Sequence, residues 1–329
     1  SIEINTVVSS VTVLARSGLS WYNLRLNKDT TMAFAFQHIA LMGTHTNPKV
    51  ATSVREVYQD LQTWGLEICV EERTAAAAGL DDAHTRSLTT LPEHTDLAIV
   101  VGGDGNLLNA ARIFAPHGVP VVGINRGTLG FLTDIAPHEI EKRLKPLLEG
   151  NFTEESRFLL EATITRNGEP HIQGNALNDI VLFPGDISQM IEFEVYIDER
   201  FVYSQRSDGL ILSTPTGSTA YSLSAGGPIL QPGIGCLVLV PMFPHTLTSR
   251  PIVVNANSKI DIKMVSEDGH QRLSFDGQSH ATIDSSDVIT VVKQPNHLRL
   301  LHPEDHNYYH TLRSKLRWGQ RLPKPGENL

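Results

Sequence analysis

Five consecutive apolar residues, Leu97 to Val101, run directly into Gly102-Gly103-Asp104-Gly105-Asn106, and LLNAARIFA follows with helical spacing. An apolar run without alternation is the pattern of a strand covered on both faces, as in parallel sheets flanked by helices. This unit confines the chain to an α/β architecture and places one loop at the carboxyl end of a buried strand, where such sheets bind ligands. The flanking sequence repeats the theme. HIALMG predicts a strand, and Asn47 and Pro48 supply the cap and first turn of an amphipathic helix reaching about Trp64, closed by Gly65. LEICVEE predicts the next strand, followed by a polar, alanine-rich connection. Gly118-VPVVGIN predicts another buried strand, and PHEIEKRLKPLLEG a helix with proline at its start and glycine at its end. Strands alternating with helices imply a Rossmann-like parallel α/β domain, assigned to 32–148.

The pattern then changes. FLLEATITRNGE, MIEFEVYIDERFVYS, KIDIKMV, QRLSFDGQ, DVITVVKQ and HLRLLHP are short, rich in β-branched and aromatic residues, and separated by turn residues. They predict an antiparallel all-β domain over 149–302. In the C-terminal segment 303–329, NYYHTLRSKLRWGQ predicts a short helix packing back on the first domain. Residues 1–31 lack the basic start and long apolar run of a secretory signal. They are expected to be a leader dispensable for activity, with the functional chain opening near Met32.

The 329 residues carry a formal net charge of −9, which disfavours nucleic acid as a partner because backbone binding needs a basic footprint. No stretch of about 18 apolar residues is present, so no membrane partner is expected. Cys69 and Cys236 both sit in apolar runs, as buried thiols of a reducing cytoplasm do. Neither has a neighbour at metal-ligand spacing, and no HExxH occurs, so no protein-bound metal is expected.

Three segments carry chemistry. In GGDGN the glycines let backbone amides approach a phosphate, and the helix N-terminus adds partial positive charge. Asp104 is out of place in a purely anion-binding loop. It orients and deprotonates an attacking hydroxyl, or holds Mg²⁺ beside the phosphates, or simply caps the next helix. The loop is neither a Walker A sequence nor a GxGxxG fingerprint. The second segment, from Asp208 through TPTGSTAYSLSAGGP, packs eight hydroxyl side chains into the 12 residues 213–224. It suits a neutral purine-ribose, although polar turns are often rich in Ser and Thr. The third is Asn178-Asp179 before an apolar strand, an amide beside a carboxylate that reads a ribose diol or adenine edge, or merely begins a strand.

Together and in this order, the motifs closely resemble the NAD kinase family. NRGTLGFLTD (125–134), VPMFPHTL (240–247) and SRPI (249–252) are similar to family segments, so the resemblance spans about 38–302. It implies phosphorylation of the adenosine 2′-hydroxyl of NAD by ATP, with Mg²⁺ or another divalent metal carried on ATP. Asp104 is then the general base. Gly102, Gly103 and Asn106 would lie against ATP phosphates, with Arg126 as a candidate for neutralising them. The NAD site would comprise Asp104, Gly105, Asn178, Asp179, Gln189, Arg206, Asp208, Thr219, Ala220, Tyr221, Ser222, Leu223, Ser224 and Gln278. Asp179 stands where the family more often has Glu, and Gln189 where relatives often carry a basic residue or His. The resemblance also implies a homotetramer whose subunits share the site. A lipid kinase of related fold and a non-catalytic NAD-binding module are the competing readings.

Overall fold

The computed structural model describes residues 34–43, 47–126, 130–185, 190–265 and 270–318. The expected leader and Gln189 lie outside them. The first half is the parallel sheet the sequence predicts, with strands His38–Gly43, Glu67–Glu71, Leu97–Gly102 and Val121–Asn125. Every residue of Leu97–Gly102 is buried, because helix Pro48–Thr63 covers one face and helix Asp104–Phe114, joined by residues of the β half, covers the other. Helix Pro48–Thr63 begins where Asn47 accepts from the Lys49 amide, and it buries Val50, Val54, Val57 and Leu61 along one stripe. A Leu side chain buried in this way contributes roughly 1.5–3 kcal/mol.

In this half three elements differ from the sequence expectation. The alanine-rich connection is itself a helix, Glu72–Ala78, capped by the Glu71 carboxylate and ended by left-handed Gly79. The helix after the glycine loop starts at Asp104 rather than Leu107, so Gly105 lies in its first turn. The predicted helix at 137–150 is broken into a 3₁₀ turn, a π turn over Ile140–Leu144 and a short α-helix containing Pro146. A proline inside the run has no N–H for the regular ladder.

The second half is antiparallel. A six-stranded sheet runs Ile252–Asn255, Cys236–Met242, Gly209–Ser213, Asp179–Pro184, Gln271–Phe275, Ser279–Ile283. It packs against strands of the other sheet through a core that includes Phe193, Val195, Leu210, Leu212, Leu237 and Ile262. DVITVVKQ and HLRLLHP form one strand, Val288–Pro303, interrupted near Pro295 by a register shift. That strand pairs antiparallel with Phe152–Arg166 and Ile260–Met264, and parallel with Val121–Asn125 at Leu300. One 11-stranded sheet therefore runs through both halves. Helix Tyr308–Leu316 follows and returns to the parallel half, where Lys315 lies over the Phe131 ring.

Candidate active site

At the end of Leu97–Gly102 the backbone of Gly102 takes φ 150°, and a Cβ there would collide with the Asn106 side chain. Asn106 Nδ2 donates to Val101 O at 3.2 Å, tying the first helical turn back to the strand. Of the loop glycines only Gly102 has positive φ; Gly103 caps the helix in an extended conformation. Asp104 does not cap its own helix. Its carboxylate accepts from the amides of Phe131 (2.8 Å) and Leu132 (3.1 Å) and from Thr133 Oγ1 (3.2 Å). The loop closes so tightly that a Cβ at Gly130 would run into Asp104 Oδ1. The carboxylate is thereby fixed in orientation while the residue remains half-buried.

Asn178 and Asp179 lie at the entry to Asp179–Pro184. Their amides and that of Leu177 donate to the Asp276 carboxylate at 2.8, 3.2 and 3.0 Å. Asp276 and Gly277 turn the chain with φ 52° and 65°, a geometry that Asp-Gly adopts readily between antiparallel strands. Burial, reinforced by the Asp276 charge, pushes the Asp179 carboxyl up to about 7. Burial also raises Asp276, opposed by the three amides and by Arg112.

These residues open onto a cleft of about 770 Å³, which Asp208, Ala220, Tyr221, Arg272 and Ser274 also line. A cleft of this size accommodates a ligand of cofactor dimensions. Asn178, Asp179 and Asp208 give it polar groups suited to amino and hydroxyl edges, while Asp276 braces the wall from behind with no exposed side-chain surface. The phosphate-type features lie instead at the glycine loop. Gln278 Nε2 joins the two regions by donating to Gly105 O at 2.6 Å.

The structure brings Asn178, Asp179, Asp208, Ala220 and Tyr221 together in one cleft. In the hydroxyl-rich loop, four of the eight hydroxyls donate to backbone carbonyls: Ser213 and Thr214 to Asn178 O and Leu177 O in the adjoining turn, and Ser218 and Thr219 to Pro215 O and Thr216 O within the loop. Ser222 is fully buried. Leu223 and Ser224 complete the short helix Tyr221–Ser224 but do not line the cleft. Gln278 is engaged with Gly105 and Arg112. Arg206 is exposed on its strand outside the cleft. Arg126 donates through Nε to Lys49 O and borders a separate depression with Glu56 and Asp60. Arg112, Arg272 and Asp276 went unnoticed in the sequence; an Asp-Gly turn between alternating segments was the available signal for Asp276.

A second cluster lies beyond the loop that grips Asp104. His302 and His306 stack at 3.8 Å, and both Nδ1 atoms meet Asp134 Oδ2, at 3.0 and 2.8 Å. The three side chains form a hydrogen-bonded cluster, and their ligand atoms lie within 4.8 Å of one another.

The N-terminal domain of ATP-NAD kinase matches residues 28–152, and its C-terminal domain matches 177–302. The chain belongs to the NAD kinase family. An NAD kinase of Pseudomonas syringae pv. tomato is 51% identical over 294 residues, covering 89% of this chain and 99% of that protein. One of Azotobacter vinelandii is 50% identical over 288 residues, covering 87% and 98%. Yeast NADH kinase complexed with NADH superposes with a TM-score of 0.80 at 26% identity, covering 88% of this chain and 90% of that one. An Archaeoglobus fulgidus NAD kinase in complex with ATP has the same fold, with a TM-score of 0.66 at 24% identity, covering 85% and 99%. Family membership makes the chain a phosphotransferase that phosphorylates NAD with ATP.

Proposed function

We propose that the acceptor is the adenosine 2′-hydroxyl of NAD and that Asp104 is the general base. The observation that carries this reading is the clamped carboxylate of Asp104, at the start of a helix whose Gly105 is joined through Gln278 to the turn lining the cleft. In this reading the adenosine half of NAD enters the cleft, where Asn178 and Asp179 meet polar edges and Tyr221 packs against a ring. Two amides and a hydroxyl hold the Asp104 carboxylate still, so it receives the proton of the attacking hydroxyl without first reorienting. ATP phosphates lie against Gly102, Gly103 and the first-turn amides, which have no partners inside the helix.

A divalent cation, Mg²⁺ or a similar hard ion, fits this arrangement because the half-buried Asp104 carboxylate offers oxygen alone beside the phosphate position. Bound with ATP, it would neutralise charge on the transferring group. We further infer that the enzyme works in the cytoplasm as a homo-oligomer, taken to be a tetramer. Phe243 and Leu247 support the latter reading: they are 79% and 93% exposed, beside the segment that hydrogen-bonds Arg206. Arg206 would then meet NAD from a neighbouring subunit.

The test is turnover of NAD, ATP and Mg²⁺ coupled to an NADP-specific dehydrogenase. Wild type is expected to yield NADP, and Asp104→Asn to lose about 10²–10⁴ in rate while remaining folded. Wild-type turnover by the variant would remove Asp104 from the base role, and lipid phosphorylation without NADP would overturn the acceptor.

A further inference from the structure

Arg112 lies two turns along the helix that starts at Asp104, and its side chain crosses to the β half. One guanidinium nitrogen pairs with Asp276 Oδ2 at 3.5 Å. The other donates to Gln278 Oε1, and also reaches Asn109 Oδ1 at 3.4 Å. Gln278 Nε2 closes the circuit on Gly105 O. Asp276 has no exposed side-chain surface, and it accepts the amides of Leu177, Asn178 and Asp179. Arg112 thus grips both ends of a short path: the first turn carrying Asp104 and the turn presenting Asn178 and Asp179.

We propose that Arg112 is a positioning residue that sets the spacing between the Asp104 carboxylate and the nucleoside-binding turn. The inference rests on the assignment of Asp104 and the cleft given above. The Arg112 cation favours the ionised form of buried Asp276, and so keeps it a strong acceptor for the 177–179 amides. Its fork simultaneously orients the Gln278 amide, leaving Nε2 free to hold Gly105. Lysine can supply the charge but cannot serve both acceptors with the same planar geometry. Loss of the strut would leave both substrate sites formed but poorly registered, and misplacement by about 1 Å costs on the order of 100-fold in rate.

The experiment is steady-state kinetics on the full chain for Arg112→Gln, Arg112→Lys, Gln278→Met and the Arg112→Gln/Gln278→Met double variant, with thermal melts alongside. Arg112→Gln is expected to lower kcat by about 10- to 100-fold while KM for ATP stays within about twofold. Arg112→Lys should recover part of the lost kcat. The double variant should lose little more than the worse single, because both cut one path. Wild-type kcat in folded Arg112→Gln, or losses that multiply in the double variant, would overturn the proposal. Should Arg112→Gln fail to fold, Arg112→Lys and Gln278→Met decide, and wild-type kcat in both refutes the strut. Asp104→Asn separates the two readings: its full activity would sink the base assignment, whereas the strut is judged by the coupling between Arg112 and Gln278.

Discussion

Asp179 is a carboxylic acid buried where a carboxylate is costly. With its folded value near 7 and an ordinary unfolded value of about 3.9, the native state binds the extra proton across that interval. Stability from this residue therefore falls as pH rises from about 4 to about 7. Asp179→Asn should raise Tm over wild type by a margin that grows through that window and levels off above it. Melts at pH 5 and pH 8 check this; an equal margin at both would show that Asp179 titrates normally. Asp104 is the contrasting case, half-buried and oriented by two amides and a hydroxyl. Its place in GGDG was legible, because a carboxylate inside a phosphate-type loop demands a task. The three groups that hold it lie 27 to 29 residues downstream, where nothing local marks them as its partners.

At the scale of elements, the hydroxyl-rich loop is a self-braced structure. Thr214 Oγ1 donates to Leu177 O at 2.6 Å and accepts from the Gly217 amide at 3.2 Å, joining the loop to the residue before Asn178. Thr214→Val keeps the shape and strands both partners in a buried setting, a change costing about 1–3 kcal/mol. Urea denaturation should show a lower midpoint with an unchanged m-value, and an unchanged midpoint would show that the bonds contribute nothing. The hydroxyl count made this loop visible in the sequence but not its bracing, because composition does not tell a donor turned toward the backbone from one turned toward a ligand. Strand Glu169–Ala176 escaped notice for a related reason: it is an edge strand with few buried residues, so its polar sequence carries little alternation.

Across the whole molecule, a chain of charged groups connects parts far apart in sequence. Asp134 meets His302 and His306, His302 Nε2 faces Glu155 at 3.4 Å, Glu155 pairs with Arg157, and Arg157 reaches Thr216 Oγ1 at 3.4 Å. Burial alone would raise Asp134 and Glu155, but the His302 hydrogen bonds, with His306 on one side and Arg157 on the other, hold each down to about 2. Their contribution is present above about pH 4 and disappears as pH falls toward 2. His302 has the opposite sign. Burial lowers its value, but the two carboxylates outweigh that and raise it, so its contribution holds below about 6.5 and fades as pH climbs through the raised value. His302→Gln breaks the chain and should cost about 3 kcal/mol or more. The deficit should be greatest between about pH 4.5 and 6.5 and shrink on the acid side. Urea melts across pH check this, and a pH-independent deficit would show that only packing was lost.

The sequence by itself determined the alternation of buried strands and helices, the change to antiparallel β structure, and the positions of the glycine loop, the Asn178-Asp179 pair and the hydroxyl loop. Each of these is a local pattern: a periodicity, a cap, a turn residue or a motif. Tertiary structure alone decided that Val288–Pro303 fuses both halves into one sheet, that Asp104 is gripped by Phe131–Thr133, and that Arg112 reaches Asp276 and Gln278 across 164 and 166 residues. Hydrogen-bond partners at such separations are chosen by how the elements pack, and packing leaves no periodic trace in the chain.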